Sequence, residues 1–122
     1  MKRFVILALV LLVACGGGSS YQYQSRPRAT SYQVTYRVTG SPGATADVTY
    51  ENEGGNGEQQ DGVRLPWTKT YQMEYGDFMY ISAQILIDGR IKCEIMVDGK
   101  VAETAESTGR YVIASCSGSA GR

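Results

Sequence analysis

Ile91-Lys92-Cys93-Glu94-Ile95-Met96-Val97-Asp98-Gly99, with Tyr111-Val112-Ile113-Ala114-Ser115-Cys116 downstream, decides how this chain folds. In the first run every second residue is apolar, so Ile91, Cys93, Ile95 and Val97 share one face of a strand, and Cys93 points into a core. The same period puts Val112, Ala114 and Cys116 on one side of a second strand. Asp98-Gly99 is a hairpin signal, because both central residues of such a turn take positive φ. A bridge from Cys93 to Cys116 would close a loop of about two dozen residues and stabilise the fold by roughly 3 kcal/mol. The alternative is two buried free thiols, and the compartment decides between them.

The N-terminus speaks to the compartment. Lys2 and Arg3 form a charged start, residues 4–13 are uninterrupted apolar sequence, and Leu12-Val13-Ala14-Cys15 follows directly. This resembles a bacterial lipobox, with residues 1–14 as a signal peptide and Cys15 as the lipidated residue. An uncleaved anchor is the other reading, but spanning a bilayer takes about 20 apolar residues and this run is about half that. Acyl chains at ~0.8 kcal/mol per buried methylene would anchor the chain to the membrane outside the cytosol. Gly16 rather than Asp follows the cysteine, which favours the outer membrane in a diderm host and the cell membrane otherwise. Disulfides persist outside the cytosol, and with Cys15 taken by lipid an even pair remains for bridging.

Residues 15–31 then read as a flexible tether, glycine- and serine-rich at first and polar and proline-broken afterwards. As a coil of about fifteen residues it would hold a domain on the order of 20 Å from the lipid. Tyr21 and Tyr23 are candidates to rest at the bilayer interface, with Arg26 and Arg28 against anionic headgroups. The same four residues serve equally to keep a tether soluble.

The 122 residues suffice for one domain with a modest core. Formal charge is zero overall, but Lys2, Arg3, Arg26, Arg28 and Arg122 lie outside residues 31–118 while all 12 acidic residues lie inside, so the body is net acidic. An acidic body without a basic patch has nothing with which to release counterions from phosphate, so nucleic acid is not an expected partner.

From residue 32 onward strand follows strand. Tyr32, Val34, Tyr36 and Val38 alternate with polar residues, and after the Gly40-Ser41-Pro42-Gly43 turn so do Ala46, Val48 and Tyr50. Glu53-Gly54-Gly55-Asn56-Gly57 reads as a mobile loop tip. Residues 62–67 read as a third strand with Val63, Leu65 and Trp67 in phase, where Pro66 marks a sheet edge or the point at which a strand leaves its sheet. Tyr71 and Met73 continue the pattern, and Met79, Ile81, Ala83 and Ile85 share one face of the next strand. Ile87-Asp88-Gly89-Arg90 reads as a hairpin turn into the first cysteine strand. No window carries a sustained helical stripe. The expected body, residues 32–118 with a tail at 119–122, is all-β: an immunoglobulin-like antiparallel β-sandwich of about seven or eight strands with one disulfide.

Val34-Thr35-Tyr36-Arg37-Val38-Thr39-Gly40, Ala46-Asp47-Val48-Thr49-Tyr50, Val63-Arg64-Leu65-Pro66-Trp67 and Cys93-Glu94-Ile95-Met96-Val97-Asp98-Gly99-Lys100, leading to Cys116, together resemble the MmpS family, "mycobacterial membrane protein small". The resemblance covers nearly all of residues 32–116. It implies an extracytoplasmic β-sandwich with the same disulfide, acting as a transport accessory protein beside a large resistance-nodulation-division (RND) transporter that exports lipids, siderophores or drugs. The chain differs from typical members at its N-terminus, where they have a transmembrane helix and it has a lipobox. The resemblance supplies no catalytic motif.

The residues themselves point away from chemistry. With no histidine, the commonest general base and transition-metal ligand is missing, and no Ser-x-x-Lys pattern replaces it. Asp47, Glu51, Glu58 and Asp61 are the carboxylates a glycosidase would need, but Asp47 and Glu51 fall on the polar face of a strand, where charge serves solvation. Glu51, Asn52, Glu53 and Asn56 offer oxygen to calcium without the spacing of a known loop, so no metal or cofactor is expected. Trp67 is the candidate for an aromatic binding platform, although its phase with Val63 and Leu65 also suits a core residue. The expectation is a non-enzymatic envelope lipoprotein: a transporter accessory, a binding module for glycan, peptide or lipid, or a structural protein that adds a strand to a partner at the edge near Pro66.

Overall fold

A computed structural model describes residues 31–122. The signal peptide, Cys15, Tyr21, Tyr23 and the tether up to residue 30 lie outside the described residues. Eight strands follow one another: β1 (Ser31–Gly40), β2 (Thr45–Glu51), β3 (Gly57–Arg64), β4 (Trp67–Glu74), β5 (Phe78–Ile85), β6 (Asp88–Val97), β7 (Lys100–Arg110) and β8 (Ile113–Ser119). They form two four-stranded sheets, β4-β1-β6-β7 and β3-β2-β5-β8, and every pairing is antiparallel. The two-layer build and the disulfide between layers match the expected sandwich, while the strand order is the chain's own.

The core follows the alternation. Val34, Tyr36 and Val38 of β1, Ala46, Val48 and Tyr50 of β2, Met79, Ile81, Ala83 and Ile85 of β5, and Ile91, Cys93 and Ile95 of β6 are buried, with Ala114 and Cys116 from β8. Each set faces the opposite sheet because side chains on a strand alternate between its two faces. The edge strands β3 and β7 contribute no fully buried residue; Val63 and Ala105 only lean on the core.

Three expectations need correction. The strand expected at residues 62–67 is two strands in different sheets: β3 ends at Arg64, the chain crosses at a cis Leu65-Pro66 bond, and Trp67 opens β4. Pro66 stands where the chain leaves one sheet for the other, so Val63, Leu65 and Trp67 all reach the core, but from two layers. The second correction concerns Ile87-Asp88-Gly89-Arg90, which is not a hairpin turn, because β5 and β6 belong to different sheets and Asp88 and Gly89 are already paired with Arg110 and Gly109. Asp98 and Gly99, by contrast, take φ of 50° and 84° and make the β6–β7 hairpin as expected. Gly89 has another reason to be glycine: a Cβ there would stand 2.7 Å from the Ser41 hydroxyl, which accepts the Arg90 amide at 2.9 Å.

The third correction is at the glycine-rich loop. Residues 52–56 form a tight turn in which the Asn52 side-chain oxygen accepts the amides of Gly54 (2.8 Å) and Asn56 (3.0 Å), and the acidic stretch beyond it is strand β3. At the other end, β8 runs to Ser119 and Ala120 is fully buried, so packing continues past residue 118 into the expected tail.

Candidate interaction surfaces

The sandwich is closed differently along its two sides. Where β7 lies over β8, Cys93 of β6 and Cys116 of β8 are joined across the layers with Cα atoms 6.3 Å apart. On the other side, where β4 faces β2, aromatic rings fill the seam. Tyr36 sits 5.9 Å from Tyr50 and 6.4 Å from Tyr71, and Trp67 packs at 5.1 Å on Tyr50. Rings at these separations prefer such tilted contacts because of their quadrupoles.

Several polar atoms at the seam are hydrogen-bonded, while the Tyr71 hydroxyl is buried there without a bond of good geometry. The Tyr36 hydroxyl donates to the Glu51 carbonyl at 2.7 Å and accepts the Tyr80 amide at 3.2 Å, linking β1 to two strands of the other sheet. Burial pushes its pKa up to about 12, against the opposing pull of the Tyr80 amide and with help from the Glu51 charge. Glu58 accepts the Asn52 amide at 2.8 Å and the Tyr50 hydroxyl at 3.3 Å, and Gln60 donates to Tyr50 at 2.8 Å. The Asn52 bond holds the Glu58 carboxyl below the usual carboxylate range; burial opposes that, while the phenols of Tyr71 and Tyr50 and the Lys69 ammonium reinforce it. Burial, then the Glu58 charge, raises the pKa of the Tyr71 phenol. The hydrogen bonds of this network tie β2 and β3 together beneath the rings. Trp67 is partly buried here and packs against the core.

The outer faces of the two sheets contrast. On the β4-β1-β6-β7 face Arg37 and Lys92 both meet Glu94, at 3.2 and 3.6 Å, and Arg90 meets Glu106 at 2.9 Å. The outer positions of β5 and β8 hold Phe78, Tyr80, Ser82 and Gln84 beside Ser119, Ser117, Ser115 and Ile113, with no Asp, Glu, Lys or Arg. Phe78 and Ile113 are each 52% exposed, and the Phe78 and Tyr80 rings lie 6.0 Å apart and nearly parallel. Depletion of charge with exposed aromatics is the compositional mark of an interface.

Of the carboxylates weighed for catalysis, Asp47 accepts the Gly62 amide at a bulge in β3 and Glu58 serves the seam, so neither faces a reacting partner. The oxygen donors considered for calcium are not convergent: the Asn52 amide is engaged by its own turn and by Glu58. Among the described residues no helix is long and apolar enough to cross a membrane. Phe78 and Ile113 were not singled out in the sequence, yet the alternation that buries Met79 and Ala114 turns both outward.

Comparison with known proteins fits this architecture. The family described as "Mycobacterium membrane protein" matches residues 16–120. A Mycobacterium leprae protein named probable transport accessory protein MmpS4 is 32% identical over 72 residues, 51% of this chain and 47% of that protein. The chain thus spans about half the length of that relative. Proteins of Mycobacterium bovis and Mycobacterium tuberculosis named probable transport accessory protein MmpS2 are 25% identical over 140 aligned positions, covering 98% of this chain and 94% of theirs. The chain therefore belongs to the Mycobacterium membrane protein family, that of the MmpS proteins.

Proposed function

We propose that this protein is a lipoprotein, anchored through Cys15 to the outer surface of the cell membrane or to the outer membrane, that acts as a non-enzymatic accessory to an RND-type transporter. The observation that carries the reading is the match over almost the whole chain to relatives named transport accessory proteins. Its body suits such a role: a disulfide and an aromatic brace tie the two layers together, and the uncharged outer positions of β5 and β8 offer a partner surface without ionic desolvation. Mild crosslinking in cells followed by purification through this chain should recover a large membrane transporter, and mass spectrometry should find acyl groups on Cys15. Repeated recovery without a transporter removes the accessory role, and an unmodified Cys15 removes the anchor.

A second reading has one specific observation in its favour. Trp67 is partly exposed and packs on Tyr50 at the aromatic seam, where an apolar or sugar ligand would find an aromatic surface. Trp67 is the single tryptophan of the chain, so its fluorescence reports occupancy directly. Titration with envelope glycans, peptides or lipids should quench or shift it saturably; flat titrations with all three classes dismiss a binding module at this seam.

A further inference from the structure

Four strands end the two sheets, and three of them carry the features that prevent a strand from pairing onward. Edge β3 is bulged between Ala46 and Val48 of its partner and bears Glu58, Asp61 and Arg64. Edge β7 is bulged opposite Ile95 and Met96 and bears Lys100, Glu103, Glu106 and Arg110. Edge β4 follows Pro66 and bears Lys69 and Glu74. Edge β8, Ile113-Ala114-Ser115-Cys116-Ser117-Gly118-Ser119, has no charge, no proline and an unbroken register with β5.

Its main chain is set for pairing. In an antiparallel ladder the amide and carbonyl of one residue point to the same side, and those of the next residue to the other. The Val112 carbonyl accepts Ile85, and the Ala120 amide and carbonyl bond to Asp77 and Gly76, so the even-numbered residues serve β5 and its turn. Ile113, Ser115, Ser117 and Ser119 therefore direct their backbone groups away from β5; the Ser107 hydroxyl donates to the Ile113 carbonyl at 2.7 Å and the Arg122 amide to the Ser119 carbonyl at 3.2 Å, so the carbonyls that face the open edge are those of Ser115 and Ser117. Among the described residues no strand pairs there.

We propose that a second copy of this chain occupies that edge, antiparallel and about a two-fold axis near Cys116, joining two four-stranded sheets into one continuous sheet. An isologous contact must be complementary to itself, and β8 meets its own reverse without any like charges. The exposed apolar residues fit the same operation. Ile113 stands at one end of β8, while Phe78 and Tyr80 stand beside the other end, opposite Ser119 and Ser117. Centred on Cys116, the pairing sets Ile113 against Ser119 of the second copy, whose small side chain leaves Phe78 of that copy free to lean toward Ile113. Symmetry repeats the contact, so Phe78 and Ile113 of each copy are brought together. Because the edge is short, the dimer is weak in dilute solution and is favoured at high concentration.

Sedimentation velocity of the full chain in detergent, over a concentration series, reads this directly. A monomer–dimer equilibrium is expected. Ser117→Lys should raise the dissociation constant on the order of tenfold by placing like charges beside the axis, whereas Thr70→Lys on β4 should leave it unchanged. Hydrogen exchange supplies a readout that needs no variant: the amides of Ser115, Ser117 and Ser119 should slow as concentration rises. A monomer at every concentration overturns the proposal. So does a dimer that survives in folded Ser117→Lys, as association through the anchor or another surface would, and so does protection that falls on β4 or β7.

Discussion

Tyr36 on β1 donates its phenolic hydrogen to the backbone carbonyl of Glu51 on β2, 2.7 Å away in the opposite sheet. The bond reaches across the layers to a carbonyl at the end of an inner strand, and the same oxygen accepts the amide of Tyr80. One hydroxyl thus satisfies two backbone groups near the buried rings of the seam.

Tyr36→Phe keeps the ring contacts and removes that oxygen. Leaving the Glu51 carbonyl and Tyr80 amide without it should cost about 1–3 kcal/mol, read as a lower urea midpoint with an unchanged slope. An unaltered midpoint would mean that water replaces the hydroxyl without loss.

Ionising the same hydroxyl should also loosen the fold. The folded pKa is raised from 10.0 to about 12, so the stabilisation is fully present below pH 10 and is lost as pH rises toward 12. In an alkaline absorbance titration Tyr36 should ionise late and together with unfolding, and Tyr36→Phe should flatten the loss of melting temperature over that window.

The opposite sign holds for Glu58. Its folded pKa lies below the ordinary carboxylate value of 4.5, so its contribution is present above that pH and fades as the pH falls through the depressed folded value. Thermal melts of Glu58→Gln should therefore show a lower melting temperature than the native chain near neutrality and a shallower acid limb, with the two chains converging as the pH falls.

Cys93→Ser should lower stability by roughly 3 kcal/mol in oxidising buffer, as expected for opening a loop of this length. Reductant should bring the native chain close to the variant. Equal distances between the two chains with and without reductant would argue that the cost is a packing defect and not the lost bridge.

Gly89→Ala tests the close approach of β6 to Ser41. Its Cβ would displace the Ser41 hydroxyl from the Arg90 amide, so a loss of about 1–3 kcal/mol is expected in denaturant melts. A neutral result would show that Ser41 moves aside freely.

The sequence by itself determined which residues are inside. Val34, Tyr36 and Val38, or Ile91, Cys93 and Ile95, are buried because alternation is local: a strand has two faces, and its own residues say which is apolar. The same local chemistry fixed the Asp98-Gly99 hairpin through positive φ. Tertiary structure alone decided which strands meet. Asp88-Gly89 reads identically to Asp98-Gly99 but runs straight, because β5 and β6 pair with different neighbours. Val63, Leu65 and Trp67 keep one phase yet divide between two layers at Pro66, and the rings of Tyr36, Tyr50, Trp67 and Tyr71 meet only once those layers stack. Facing is settled within two residues of chain, whereas pairing depends on partners tens of residues away, and no local pattern encodes that choice.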